Sequence, residues 1–312
     1  MLNYQARLRE CNGGNMMNLI LLLKDYLYTK DANPPRVYRA EETIELIIQE
    51  KLSVSRFGDG EFDMLLNINH PKYQKNDSNL VYKLNAAFNS NKKNLLVCIP
   101  DVFSSESLKP LTGKAARHWK RFLIKNRQKL YQIFNFDKEY GDALFTRHYI
   151  DIKDKSKSHI YFNHVKEIWN NRDIIVVEGK YTRFGVGNDL LDNAKSVQRI
   201  LCPEKNAYDK YDDIFEVCKQ QDKDTLFLIA LGPTATVLAY DLCNEGFQAI
   251  DIGHLDIEYE WFLKHADKKC AVANKWVNET DDIVTNENDT LYDEEYENSI
   301  ISRIENKNMH IY

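Results

Sequence analysis

The segment Arg56-Phe57-Gly58-Asp59-Gly60-Glu61 places two carboxylates two residues apart, directly after the apolar run Leu52-Ser53-Val54. If the backbone stays extended, side chains at i and i+2 share one side, and Asp59 and Glu61 converge on one point. Gly58 and Gly60 let the chain turn tightly and let a ligand approach the backbone. Two close carboxylates repel each other unless a positive charge lies between them. A hard divalent cation such as Mn2+ or Mg2+, with a substrate phosphate completing its shell, is the matching partner. The competing reading is an ordinary acidic turn, since Asp-Gly is common turn chemistry.

Three further segments carry ligand-like chemistry. Gly179-Lys180-Tyr181-Thr182-Arg183-Phe184-Gly185-Val186-Gly187-Asn188-Asp189 combines glycines and two cations with the expected start of a helix near Asn188. Backbone amides, a helix N-terminus and Lys180 and Arg183 would together cradle a diphosphate. The spacing matches neither a P-loop nor the dinucleotide glycine fingerprint, and a flexible basic loop is the alternative. Gly232-Pro233-Thr234 sits at an expected strand-to-helix junction, where Thr234 can cap the helix and exposed amides can hold a phosphate or ribose oxygen. In Asp251-Ile252-Gly253-His254-Leu255-Asp256-Ile257-Glu258, His254 is a third metal ligand or a phosphate contact, or simply structural. Asp256 and Glu258 are candidate acid/base groups.

The elements that must position these residues follow from periodicity. Continuous apolar runs at 94–99, 173–179, 197–202, 225–231 and 248–252 read as buried strands, and 143–147 is strand-like. Helical patterns fall at 40–50, 62–68, 78–91, 114–131, 159–170, 208–220 and 234–245. This alternation predicts an α/β, Rossmann-like, mostly parallel sheet with helices on both faces, whose ligands bind beyond the carboxyl ends of the strands. All four segments fall there. The expected organisation is an N-terminal helical segment over 1–39, the α/β domain over 40–265 and an acidic extension over 266–312. From Trp276 to Ser302 there are acidic residues and no Lys or Arg, which reads as a solvated or loosely ordered arm.

Composition narrows the classes. A formal charge of −5 and a pI near 6.0 argue against general nucleic-acid binding. No apolar run is long enough to span a bilayer. Six cysteines without a Cys-x-x-Cys pair read as buried free thiols of a reducing compartment. There is no Gly-x-Ser-x-Gly elbow and no clear Cys/His nucleophile motif. One ligand accounts for all four segments: a nucleoside diphosphate with a divalent cation, the leaving group of glycosyl transfer.

Together, Arg56 to Glu61, Glu178-Gly179 to Asn188-Asp189, Leu231-Gly232-Pro233-Thr234-Ala235 and Asp251-Ile252-Gly253-His254 resemble the GT-D-type glycosyltransferases, first catalogued as a bacterial domain of unknown function. Members occur in streptococci and other bacteria, often in clusters that glycosylate serine-rich adhesins. The resemblance implies a Mn2+- or Mg2+-dependent hexosyltransferase of the cytoplasm. It implies a UDP-sugar donor, with glucose the expected sugar, and a glycan or glycoprotein acceptor. The family's Asp-x-Glu metal motif falls on Asp59 and Glu61. On this reading Arg56, Gly58, Gly179, Lys180, Arg183, Gly185, Gly187, Asn188, Asp189, Gly232 and Thr234 meet the donor. Two readings compete: a nucleotide-sugar hydrolase or phosphatase using the same site, and a non-catalytic nucleotide-binding partner in a transferase complex. A homo-oligomer is compatible with the sequence.

Overall fold

The computed structural model describes Leu23 and residues 33–68, 74–277 and 293–305. Its centre is one sheet of nine strands, all parallel, in the order β1-β4-β3-β2-β8-β7-β5-β6-β9. The strands are β1 (Arg36–Val37), β2 (Ser53–Arg56), β3 (Leu95–Ile99), β4 (Glu139–Asp142), β5 (Asp173–Gly179), β6 (Ser196–Cys202), β7 (Leu226–Ala230), β8 (Gln248–Asp251) and β9 (Ile300–Arg303). The chain winds outward from β2 through β3 to β4 on one side and from β5 to β6 on the other. β7 and β8 then fill the gap between the halves. The α/β, mostly parallel architecture read from the sequence is the one observed.

The helices are α1 (Ala40–Glu50), α2 (Asp59–Leu65), α3 (Ser78–Phe88), α4 (Gly113–Ile133), α5 (Ser158–Lys166), α6 (Tyr211–Lys219), α7 (Pro233–Asn244), α8 (Leu255–Leu263) and α9 (Glu294–Ser299). Alternation along the strands feeds two cores, one on each face. Leu95, Val97 and Ile99 join α3, α4, α6 and α7 on one side. Leu96 and Cys98 join α1, α5 and α8 on the other. Both faces are covered, which is why the strands are apolar throughout. Cys98, Cys202, Cys218 and Cys243 are buried free thiols, Cys270 is a half-buried one, and Cys11 lies outside the described residues.

Three expectations are corrected. Residues 143–146 form a 3-10 turn rather than a strand, because Asp142 closes β4 by accepting the Leu144 amide at 2.8 Å. No helix starts at Asn188; the segment to Ala194 is a series of turns, with the Asn188 side chain accepting the Leu190 amide at 3.0 Å. The acidic arm is not wholly solvated: α9 leads into β9, which pairs with β6 as the outermost strand on that side. The helical expectation for 1–30 lies outside the described residues, apart from Leu23. No described helix is long and apolar enough to cross a membrane.

Candidate active site

A cleft of about 370 Å³ opens at the carboxyl ends of β2, β8, β7, β5 and β6. Its position is fixed from below. Phe57, just past β2, and Phe62, in α2, are both fully buried among Phe88, Phe134 and Tyr140. Ring centroids lie 5.0 Å apart for Phe57 and Phe88, and 5.8 Å for Phe62 and Phe134. This aromatic cluster pins the first turn of α2, and with it Asp59 and Glu61, at the cleft floor.

The two carboxylates do not converge as an extended backbone would make them. Asp59 and Glu61 occupy the first turn of a helix, where i and i+2 point apart. Glu61 turns back to accept the Gly58 amide at 2.8 Å, half of a capping box. Asp59 reaches across to His118 of α4, with Oδ2 2.9 Å from Nε2 and the side chain half exposed. Both carboxylates still line the cleft. Burial would raise the Asp59 pKa, but the His118 hydrogen bond and charge, helped by Arg147, hold it below the usual range. His118 is pushed up by the same pairing. Glu61 is raised to about 7 by burial and by the nearby Asp251 charge.

Arg56 is a structural clamp. Its guanidinium donates to the Asp251 carboxylate at 3.0 Å and to the carbonyls of Asp251 and Ala143 at 2.9 and 3.1 Å. The Asp251 carboxylate also lies 3.0 Å from the Thr236 hydroxyl. Gly253, at φ +52°, is the residue that makes room: a Cβ there would stand 1.9 Å from Arg56 Nη2. Gly232 is required for another reason. It caps α7 with φ +55° and ψ −140°, a conformation reserved for glycine, and so presents the positive end of that helix to the cleft. Thr234 is therefore not the cap. It is fully buried, and its hydroxyl donates to Gln74 at 3.3 Å.

The expected acid/base pair is engaged elsewhere. Asp256 borders the cleft, but its oxygens accept from Lys275 at 2.7 and 2.9 Å, from the Gly185 amide at 2.9 Å and from Asn188 at 2.9 Å. Lys275 also pairs with Glu260 at 3.1 Å. Glu258 is fully buried, away from the cleft lining, and accepts the Tyr149 and Ile150 amides at 3.0 and 2.8 Å. Burial lifts it to about 7.

Gly179, Thr182 and Phe184 line the cleft, but the two cations of the loop and residues 185–189 turn away. Lys180 faces a separate depression beside Arg303. Arg183 stacks on Tyr296 of α9, its guanidinium 4.4 Å from the ring centroid. Gly185, Gly187 and Asn188 border a third hollow against α9, and Asp189 pairs with Lys166 and Tyr259 at 2.7 and 2.6 Å. The guanidiniums that do line the cleft are Arg56 and Arg147, with the His254 ring beside Arg147 and His118 reaching Asp59 at its edge. Arg147 Nη2 lies 3.2 Å from His254 Nδ1. A guanidinium only donates, so Nδ1 accepts and the neutral ring carries its proton on Nε2. That arrangement leaves an Nε2–H to donate, as a phosphate contact requires. His118, Arg147, Gln74, Asn206 and Trp276 went unnoticed in the sequence. Each is delivered by tertiary packing, with no local motif.

Among the described residues no three His, Cys, Asp or Glu side chains are arranged as a metal cage. The donors present nonetheless fit a cation shared with substrate. Asp59 and Glu61 offer carboxylates on one cleft floor, beside the buried Asp251. Mg2+ and Mn2+ characteristically take one or two carboxylates and let phosphates complete the shell.

A doubly wound α/β ligand-binding domain, with its cleft beyond the strand ends, is the class that fold and site define. The glycosyltransferase GT-D fold family matches residues 54–280, and the chain belongs to that family. Over 241 residues it is 39% identical to a protein of Streptococcus gordonii described as a probable glycosyl transferase, covering 77% of this chain and 35% of that one. Over 287 residues it is 36% identical to the glycosyltransferase GlyD of Streptococcus pneumoniae, covering 92% of this chain and 34% of that one. The chain thus spans about a third of the length of these relatives. A solved structure, described as a highly conserved domain of unknown function 1792 with a distinct glycosyltransferase fold, superposes with a TM-score of 0.83 at 36% identity. It covers 90% of this chain and all of that one. A glycosyltransferase of the same domain type from Streptococcus sanguinis gives 0.81 at 35% identity, covering 87% and 100%.

Proposed function

We propose that the chain transfers a hexose from a UDP-sugar, with glucose the expected sugar, to a glycan or glycoprotein acceptor in the cytoplasm. The observation that carries the reading is the cleft floor. A half-exposed carboxylate held ionised by His118, the positive end of α7 at Gly232, and the donors Arg147 and His254 face one space. Anionic and cationic groups are segregated there as a metal–diphosphate ligand requires.

In this mechanism the bond between the sugar's anomeric carbon and the diphosphate breaks, and the acceptor hydroxyl supplies the new oxygen. Asp59 and Glu61 would hold Mn2+ or Mg2+, which supplies Lewis-acid neutralisation of the departing diphosphate. His118 orients Asp59 from the opposite wall. Arg147 and the Nε2–H of His254 donate to phosphate oxygens, and the α7 terminus adds its dipole. Trp276 and Asn206, at the far end of the cleft, form a wall suited to the nucleoside. Arg56 acts one step back, holding Asp251 and the backbone at the end of β8. The carboxylates of Asp256 and Glu258 are already engaged and make poor acceptor bases, leaving the departing diphosphate or water to take the acceptor hydroxyl's proton.

The test is calorimetric titration of UDP and UDP-glucose with Mn2+ and then with chelator. Metal-dependent binding that is lost in Asp59→Ala supports the assignment. Tight binding indifferent to metal removes Asp59 and Glu61 from that role, and absence of binding to any nucleoside diphosphate removes the transferase reading. Rapid release of free sugar without acceptor would favour the hydrolase reading.

A further inference from the structure

Helix α4 carries Lys114, Arg117, Lys120, Arg121, Lys125 and Lys129 on its exposed side and contains no acidic residue. None of the six forms an ion pair with another described residue. Five of them, all but Lys120, follow one another at spacings of three or four, so they form a single stripe roughly 22 Å long at 1.5 Å per residue. Like charges at i and i+4 destabilise a helix. The fold bears that cost at Arg117–Arg121, Arg121–Lys125 and Lys125–Lys129 with no acid on the helix itself and only Asp63 of α2 acting on Lys125, in a chain whose net charge is −5. The opposite side of α4 is spent on the core through Trp119, Leu123 and Leu130. The stripe is therefore not needed to fold the helix.

We infer that this stripe is a docking surface for an anionic lipid bilayer. Charge complementarity defines the partner as polyanionic, and shape selects among polyanions. The outer side of a single helix is convex. Soluble single strands are gripped in grooves with stacking aromatics, whereas a bilayer surface asks only for a row of cations. Three residues past the end of α4, Phe136 packs against Tyr131 yet stays 40% exposed, an apolar surface close to the end of the stripe. The position also has a functional sense that rests on the transferase reading. His118 belongs to this same helix and touches Asp59. Docking through α4 brings the cleft mouth beside the bilayer, where an acceptor anchored in lipid would be presented.

The experiment is co-sedimentation of the full chain with vesicles of phosphatidylcholine alone and of phosphatidylcholine mixed with phosphatidylglycerol, at low and high salt. The expected result is binding only to the anionic vesicles, lost at high salt. Binding should weaken roughly a hundredfold in the triple variant Arg117→Gln, Arg121→Gln, Lys125→Gln. The melting temperature of that variant, measured alongside, should stay within a few degrees of the parent. Equal binding to both vesicles overturns the inference, as does unchanged binding by a folded triple variant. Capture by soluble polyglutamate with no vesicle binding overturns it in favour of an acidic polymer. UDP titration of the same samples separates the two readings. Vesicle binding without UDP binding leaves the surface and removes the transferase site; UDP binding without vesicle binding does the reverse.

Discussion

Replacing Lys275 with Met isolates the buried network beneath the cleft. Lys275 and Asp256 are 3% and 2% exposed, and the ammonium also holds Glu260. Removing the cation strands Asp256 in a low-dielectric setting and leaves Glu260 with Lys264 at 3.4 Å, while Asn188 still donates to both carboxylates and Gly185 to Asp256. Breaking a buried pair by removing one partner costs about 3–5 kcal/mol, against much less when both partners become apolar or neutral. For a chain of this size that corresponds to a fall in melting temperature of roughly 10 °C. The double variant Lys275→Met, Asp256→Asn should recover a large part of the loss, and the coupling between the two changes should exceed about 1 kcal/mol. Urea unfolding of parent, both single variants and the double variant gives the full cycle. A Lys275→Met protein within about 1 kcal/mol of the parent would refute the reasoning, and so would a double variant no more stable than the single.

Three other outcomes are expected. Asp59→Ala should lower transfer by about a thousandfold, measured as UDP release with acceptor. Its half-exposed side chain makes the unfolding free energy change by less than about 1 kcal/mol. Glu258 has its folded pKa raised to about 7 from an ordinary 4.5, so the folded state holds this proton more tightly than the unfolded chain. Its stabilisation is complete below about pH 4.5 and is lost as pH rises through about 7. Glu258→Gln should flatten that part of a stability–pH curve recorded by denaturant melts. Gly253→Ala should cost about 1–2 kcal/mol from the positive φ alone. It should also displace the Arg56 guanidinium, so that UDP binding weakens in calorimetry even in the fraction that folds.

The sheet was legible because burial on both faces writes strands as unbroken apolar runs. Asp173 to Gly179 is the clearest case. Asp142 shows the opposite: a polar residue closing β4 moved the real strand four residues upstream of the one expected at 143–147. At the candidate site the four segments do meet at one sheet edge, although their internal geometry differs. Glu61, three residues after Gly58, is a helix-start spacing, and it overrode the extended backbone on which convergence with Asp59 depended. The two cations of the loop at 179–189 leave the cleft for a tertiary reason. α9 and Tyr296, far along the chain, draw Arg183 away from the cleft. His118 and Lys275 left no local signal, because their roles exist only once α4 and the residues after α8 pack against the cleft.

The two outer strands come from opposite regions of the chain, and both are brief: two residues in β1 and four in β9. An unpaired strand edge is a template for any other chain. By lying along β6, residues 300–303 cover the backbone of Arg199 to Leu201, which would otherwise face water. What remains at the rim is too short to recruit a tenth strand readily. Residues read as a solvated arm thus serve as a guard against self-association. A protein cut back to 277 would keep its cleft lining but expose the β6 edge, and it should aggregate in solution.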